Sequence, residues 1–220
     1  MMPNTTLSRA YYALAVACIL DVVAIAAGAS IPDFYGRPVL LLSFAVVVFR
    51  NATHTSHKLI SLGMVAAALV EAMQMLGIGF AWIASATAVY YLAYSIAFAL
   101  RGGKITSKLE ASGFAVYAIY SVIMFLWLEP YGFLRMASIL YTAVVILFGG
   151  LSSRPVFARK EGATWSRLLA GAVALLVISD SMRAISIFKQ PVSEALILAP
   201  YWAGQFGLAL WPVFDKKKQL

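Results

Sequence analysis

Three features of the sequence predict an all-α, polytopic integral membrane fold with eight transmembrane helices and cytoplasmic N and C termini. Apolar residues make up 62% of the 220 positions, against roughly 45–50% in ordinary soluble domains. Mean hydropathy is +0.86 and only 12% of residues are charged, too little polar surface to cover a water-soluble fold. Apolar runs of spanning length alternate with turn residues, and the basic residues collect at every second turn. No further domain is expected within 1–220.

A spanning helix needs about 20 mostly apolar residues, within a range of roughly 17–25. The first run, 11–29, contains "AVAC" at 15–18 but continues past Cys18, so it reads as an uncleaved span rather than a lipoprotein leader. A single cysteine allows no internal disulfide. "IPDFYGRP" at 31–38 is a turn, and the short second span covers 38–50. The third span, 59–77, and the fourth, 79–100, are joined only through "GIG". "RGGK" at 101–104 precedes the fifth span, 111–128. "EPYG" at 129–132 leads into the sixth, 132–151, and "SSRP" at 152–155 ends it. The seventh covers 166–188, and "KQP" at 189–191 turns the chain into the eighth, 195–214.

Charge supports this count. With eight spans, Arg9, Arg50, Lys58, Arg101, Lys104, Lys108, Arg154, Arg159, Lys160, Arg167 and Lys216 to Lys218 share the side that holds both termini. Only Arg37, Arg135 and Lys189 fall opposite, and Arg183 is inside a span. Dropping a span scrambles this segregation, which marks the basic side as cytoplasmic. The formal charge of +8 then faces anionic lipid head groups rather than nucleic acid. The expected location is the cell (inner) membrane.

Most acids fall in loops, but Asp21, Glu71 and Asp180 lie inside the first, third and seventh spans. An acid at the centre of a spanning helix costs about 2.5–3.5 kcal/mol on insertion scales. These acids and Arg183 must therefore face one another or a wet cavity. A structural ion-pair network, with Arg183 on Asp180 one turn back or on Asp21, accounts for them without activity. A functional polar cavity is the alternative. Glu71 and Asp180 sit slightly past the midplane of helices running the same way. "LISLGMVAAALVEAMQ" and "LLAGAVALLVISDSMR" align loosely around them. Tyr201 and Gln205 share a face of the last helix, Ser179 and Ser181 flank Asp180, and Tyr90, Tyr91 and Tyr94 crowd the fourth helix.

Other motifs carry less. His54 and His57 form an HxxH without a nearby carboxylate or cysteine, which reads as a solvated loop rather than a metal site. "NTT" and "NAT" fit the glycosylation pattern but fall on the cytoplasmic side. Lys189 lies at a helix end, where no retinal would attach.

"GAVALLVISDSMRAISIFKQP" at 171–191, followed by "YWAGQ" at 201–205, resembles the last two helices of the YhhN-type lysoplasmalogenase family. There an apolar run, Ser-Asp-Ser, a further turn, Phe and Pro precede Tyr, with Gln four residues on. "GRPVLLLSF" at 36–44 is similar to that family's Lys-Pro opening of the second span, with Arg37 for the lysine. "FAWIASATAVYYLAYSIAF" at 80–98 is similar to its fourth helix. The chain departs from the pattern at Val70-Glu71, where the family usually has Gly-Asp. It departs again at Tyr91, where histidine is frequent, and at Arg183, usually apolar.

The resemblance implies hydrolysis of the vinyl ether of a lysoplasmalogen, giving a fatty aldehyde and a glycerophospho head group. A protonated carboxyl would activate the β-carbon, and burial favours the neutral form of a carboxyl. An ionised partner would stabilise the cation and take a proton from water. Asp180 and Glu71 are the expected pair, with either as the acid. Arg37, Tyr91, Ser181, Arg183, Tyr201 and Gln205 are the expected substrate-binding residues. A lysophospholipid and membrane lipids are the expected partners; no nucleic acid, metal or cofactor is expected, and no feature sets an oligomeric state. The alternatives are a catalytically silent lipid binder of the same family and an ion-coupled transporter using the buried acids as a relay.

Overall fold

The computed structural model describes residues 5–28, 33–102, 108–157 and 164–216. Among them the chain forms α1 (Thr5–Ala26), α2 (Asp33–Arg50), α3 (Thr55–Met75), α4 (Phe80–Gly102) and α5 (Lys108–Leu128). α6 (Gly132–Phe157), α7 (Thr164–Phe188), α8 (Glu194–Ala209) and the short α9 (Trp211–Lys216) follow. No strand occurs among the described residues. Lys104, Arg159, Lys160, Glu161, Lys217 and Lys218 lie outside them.

Six helices, α1, α3, α4, α5, α6 and α7, are long and apolar enough to cross a membrane. The other two expected spans fall short for different reasons. α2 carries Asp33, Arg37 and Arg50 within its 18 residues, and α8 has only 16 residues. Exposed side chains such as Leu20, Leu69, Val89, Ile119, Leu140 and Leu196 give the bundle an apolar exterior. In water such a surface would be an association liability. Against lipid it is the appropriate one.

Three boundaries differ from the sequence reading. α2 begins at Asp33, one turn and more before Pro38, although a proline disfavours helix in the residue before it. That residue is Arg37, which is tied by ion pairs to Glu194 and Asp21. α6 continues through "SSRP" to Phe157. Ser152 and Ser153 donate to the carbonyl of Gly149 at 2.9 and 2.7 Å, so these hydroxyls bond back into the helix instead of opening a turn. The last span divides at Leu210 into α8 and α9. Pro212, which lacks an N–H, sits in the first turn of α9, where none is required.

α2 packs on α3, α3 on α4, α4 and α5 on α6, α6 on α7 and α7 on α8, with α1 against α8 and α2. The "GIG" connection is a helix end of defined geometry. Gly77 has φ +65°, its N–H donates to the Gln74 carbonyl at 3.0 Å, and Ile78 N–H donates to Met73 at 3.0 Å. These are the two closing bonds of a Schellman motif. They fix Glu71 and Gln74 in the last turns of α3.

Contact between α7 and α8 depends on small residues, as is common where helices associate in a membrane. A β-carbon at Gly204 would lie 2.7 Å from the Ala172 carbonyl oxygen and 2.6 Å from Leu176 Cγ. Overpacking of this kind costs about 1–3 kcal/mol. Gly204→Leu is therefore expected to lower the thermal midpoint of the purified protein, and an unchanged midpoint would contradict this packing.

At the basic end, Glu110 in the first turn of α5 accepts from Arg154 Nη2 at 3.0 Å, and the two side chains are 2% and 5% exposed. Arg154 thus faces α5, not head groups. Removing one member of a buried pair costs about 3–5 kcal/mol. Glu110→Ala should destabilise by that order in a denaturation titration, whereas an exposed pair would register below about 1 kcal/mol.

Candidate active site

Residues of α3, α4, α5, α6, α7 and α8 line one cavity of ≈ 110 Å³. A single water needs roughly 10–15 Å³ of such space, so several waters or part of a ligand fit. The lining starts at about the middle of these helices and runs to the ends joined by the α3–α4, α5–α6 and α7–α8 connections. Tyr141, Val145 and Val177 lie near the middle of their helices; Phe80, Leu128, Pro130 and Phe188 lie at or beside the connections. Phe80 and Phe188 meet edge to face there, with ring centroids 5.7 Å apart.

The helices contribute unlike chemistry. α3, α7 and α8 supply Glu71, Gln74, Asp180, Ser181, Arg183 and Tyr201, whereas α4 and α5 supply mainly apolar groups such as Phe80, Ile83, Met124, Phe125 and Leu128. A charged group would be unaffordable against lipid. In this cavity each one has partners.

Asp180 Oδ2 accepts from the Tyr91 hydroxyl at 2.6 Å and from the Tyr141 hydroxyl at 2.8 Å. Two phenols on one oxygen fix the carboxyl plane. Ser181 accepts from Tyr120 at 2.7 Å and donates to the Val177 carbonyl at 2.7 Å. Glu71 is 2% exposed, and its Oε1 lies 3.6 Å from Arg183 Nη2. Arg183 Nη1 donates to Gln74 Oε1, and its guanidinium carbon stands 6.0 Å from the Tyr201 ring centroid, within cation–π range. The two loosely aligned segments therefore meet across the cavity, with Gln74 and Arg183 in corresponding positions.

Glu71, Asp180, Ser181, Arg183 and Tyr201, all expected from the sequence, line this one cavity. Tyr91 is fully buried behind the lining; its hydroxyl bonds to Asp180 and its ring packs on Tyr90 and Tyr141. Gln205 is also fully buried, accepting from Tyr94 at 3.0 Å. Arg37 is not in the lining. It donates to Glu194 at 2.7 Å and lies 3.5 Å from Asp21, which also accepts from Trp202 Nε1 at 2.8 Å. This second cluster ties α1, α2 and α8 together. The direct salt bridge of Arg183 is with Glu71; Asp21 pairs with Arg37.

Gln74, Tyr120 and Tyr141 are site residues that the sequence reading missed. A usable signal existed: Gln74 is three residues after Glu71, and Ser138, Tyr141 and Thr142 share one face of α6. His54 and His57 lie at the other end of the bundle, with rings 5.4 Å apart and His57 packed on Trp211.

The model of the YhhN family matches residues 34–211, which include every residue of the cavity. No curated protein matches the chain, and no solved structure does either.

Proposed function

The chain belongs to the YhhN family, and from that premise we propose that it is an intramembrane hydrolase of lysoplasmalogen-like lipids. It would cleave the vinyl ether bond to release a fatty aldehyde and a glycerophospho head-group compound. The observation that carries this reading is the convergence of two carboxyls, Glu71 and Asp180, on one cavity with an apolar side. We read α2 and α8 as spans as well, giving eight, with both termini on the cytoplasmic side of the cell membrane. Of the charges of α2, Arg37 is buried in the bundle and paired with Asp21 and Glu194.

Asp180 is the proposed acid, because phenols rather than a cation hold it; Glu71, beside Arg183, is the proposed base. Asp180 delivers a proton to the β-carbon of the vinyl ether, leaving an oxocarbenium ion at the carbon bearing oxygen. Water attacks that carbon and gives a proton to Glu71, forming a neutral hemiacetal. In the collapse, the hemiacetal hydroxyl returns its proton to Asp180 while Glu71 protonates the departing glyceryl oxygen. The carbonyl forms as the carbon–oxygen bond breaks, and both carboxyls regain their starting states. The arrangement is two-carboxylate chemistry of the kind used on glycosidic acetals.

A relay for transport would need polar groups connecting both ends of the bundle. The cavity lining instead reaches only the ends carrying the α3–α4, α5–α6 and α7–α8 connections, which favours a lipid site. The test is purified protein in mild detergent given a lysoplasmalogen and, separately, an ester-linked lysolipid. Aldehyde from the vinyl ether and no fatty acid from the ester is the expected result. A folded sample silent on both lipids would sink the hydrolase reading.

A further inference from the structure

We propose that Arg183 is the head-group specificity determinant of the cavity: its guanidinium receives the phosphodiester of a zwitterionic single-chain lipid. This deepens the lysolipid reading above and rests on it. Three observations carry it.

The guanidinium has donors to spare. Arginine presents five N–H donors in a planar fork; here one goes to Gln74 and another points towards Glu71. The distance to Glu71, 3.6 Å, is well beyond the roughly 2.7–2.9 Å of a charge-assisted hydrogen bond. Arg183 is thus not locked into a bidentate pair. It lines open space, and its side chain is 20% exposed.

Its position also fits. Arg183 and Asp180 are both in the lining, and three residues of α7 separate them by about 4.5 Å along the helix axis. A three-carbon glycerol separates the ether oxygen of a lysolipid from its phosphate, so a phosphodiester on Arg183 leaves the vinyl ether on the Asp180 side of the cavity. Arg183 is the nearer of the two to the α7–α8 connection, so the head group would lie towards that end.

Charge completes the argument. A bare anion beside Arg183 would also meet the Glu71 carboxylate. A zwitterionic head group carries its own cation, so its phosphodiester can meet Arg183 without adding net charge to a desolvated site.

The experiment measures binding by calorimetry on the full-length protein in detergent, using two uncleavable lipids. One is a saturated-ether lysolipid with a zwitterionic phosphodiester head; the other is the same alkyl glycerol without phosphate. The wild type should bind the phosphodiester about tenfold tighter or more, as hydrogen bonds to charged groups allow. Arg183→Gln should bring the two lipids level, and Arg183→Lys, which keeps the charge, should retain part of the preference. Equal binding of both lipids by the wild type, or a preference surviving Arg183→Gln, would overturn the proposal. Displacement of the phosphodiester lipid by inorganic phosphate as strongly as by the matching lysolipid would overturn the head-group assignment in favour of a simple anion site. No turnover enters these measurements. A preference without aldehyde release would refute the hydrolase alone, and aldehyde release without a preference would refute the role of Arg183 alone.

Discussion

Asp180→Asn is expected to reduce aldehyde release from a lysoplasmalogen by about 10²–10⁴-fold, the usual contribution of a positioned general acid. An amide keeps the size of the side chain and can still accept from Tyr91 and Tyr141, whose hydroxyls lie 2.6 and 2.8 Å from Oδ2. The fold should therefore persist while the transferable proton is lost. Binding of an uncleavable ether lipid should change little beside the loss of turnover. A variant that retained most of its rate would remove Asp180 from the chemistry. It would leave Asp180 as the anchor of a tyrosine network.

Glu71→Gln is expected to cost a similar factor in rate, about 10²–10⁴-fold, together with a measurable loss of stability. The difference arises from the partner. Asp180 is held by neutral phenols, but Glu71 lies 3.6 Å from Arg183 and is 2% exposed. Replacing it leaves a guanidinium in a desolvated site without its counter-charge, a change of the costly kind. Glu71→Asp keeps the charge one methylene shorter and should recover both stability and part of the rate. Equal rates for Glu71→Gln and the wild type would exclude a base at this position. Measuring thermal midpoints beside rates separates the two effects.

Much of the fold was legible because lipid imposes a simple rule on helix length and composition. α1, α3, α4, α5, α6 and α7 announce themselves as long apolar runs. α2 and α8 were legible as apolar runs between turn residues, and the alternation of basic residues supported counting them, since one carries three charges and the other is short. The early start of α2 could not be read locally. Arg37 is held by Glu194, 157 positions away, and no window of sequence contains that contact. The continuation of α6 past "SSRP" was hidden for the opposite reason, because serine hydroxyls that usually open turns bond back to Gly149.

The site was half legible. Intramembrane charges are expensive enough to stand out, so Glu71, Asp180 and Arg183 are conspicuous by residue type and position alone. Which charge meets which is not, because Arg183 is one turn from Asp180 in sequence yet makes its direct salt bridge with Glu71 on α3. Tyr141 was missed because a tyrosine in a spanning helix reads as interfacial or core. Its role depends on how α6 is turned towards α7. Arg37 looked like a head-group ligand because it falls near a helix end; the acids of α1 and α8 instead hold it inside the bundle.

The most direct measurement for the central claim is turnover of a lysoplasmalogen by the purified protein in water labelled with heavy oxygen. Carbon protonation followed by water attack predicts release of a fatty aldehyde and a glycerophospho product whose hydroxyl oxygen is unlabelled, because the glyceryl carbon–oxygen bond never breaks. Label in that hydroxyl, or no aldehyde from a folded sample, would contradict the account.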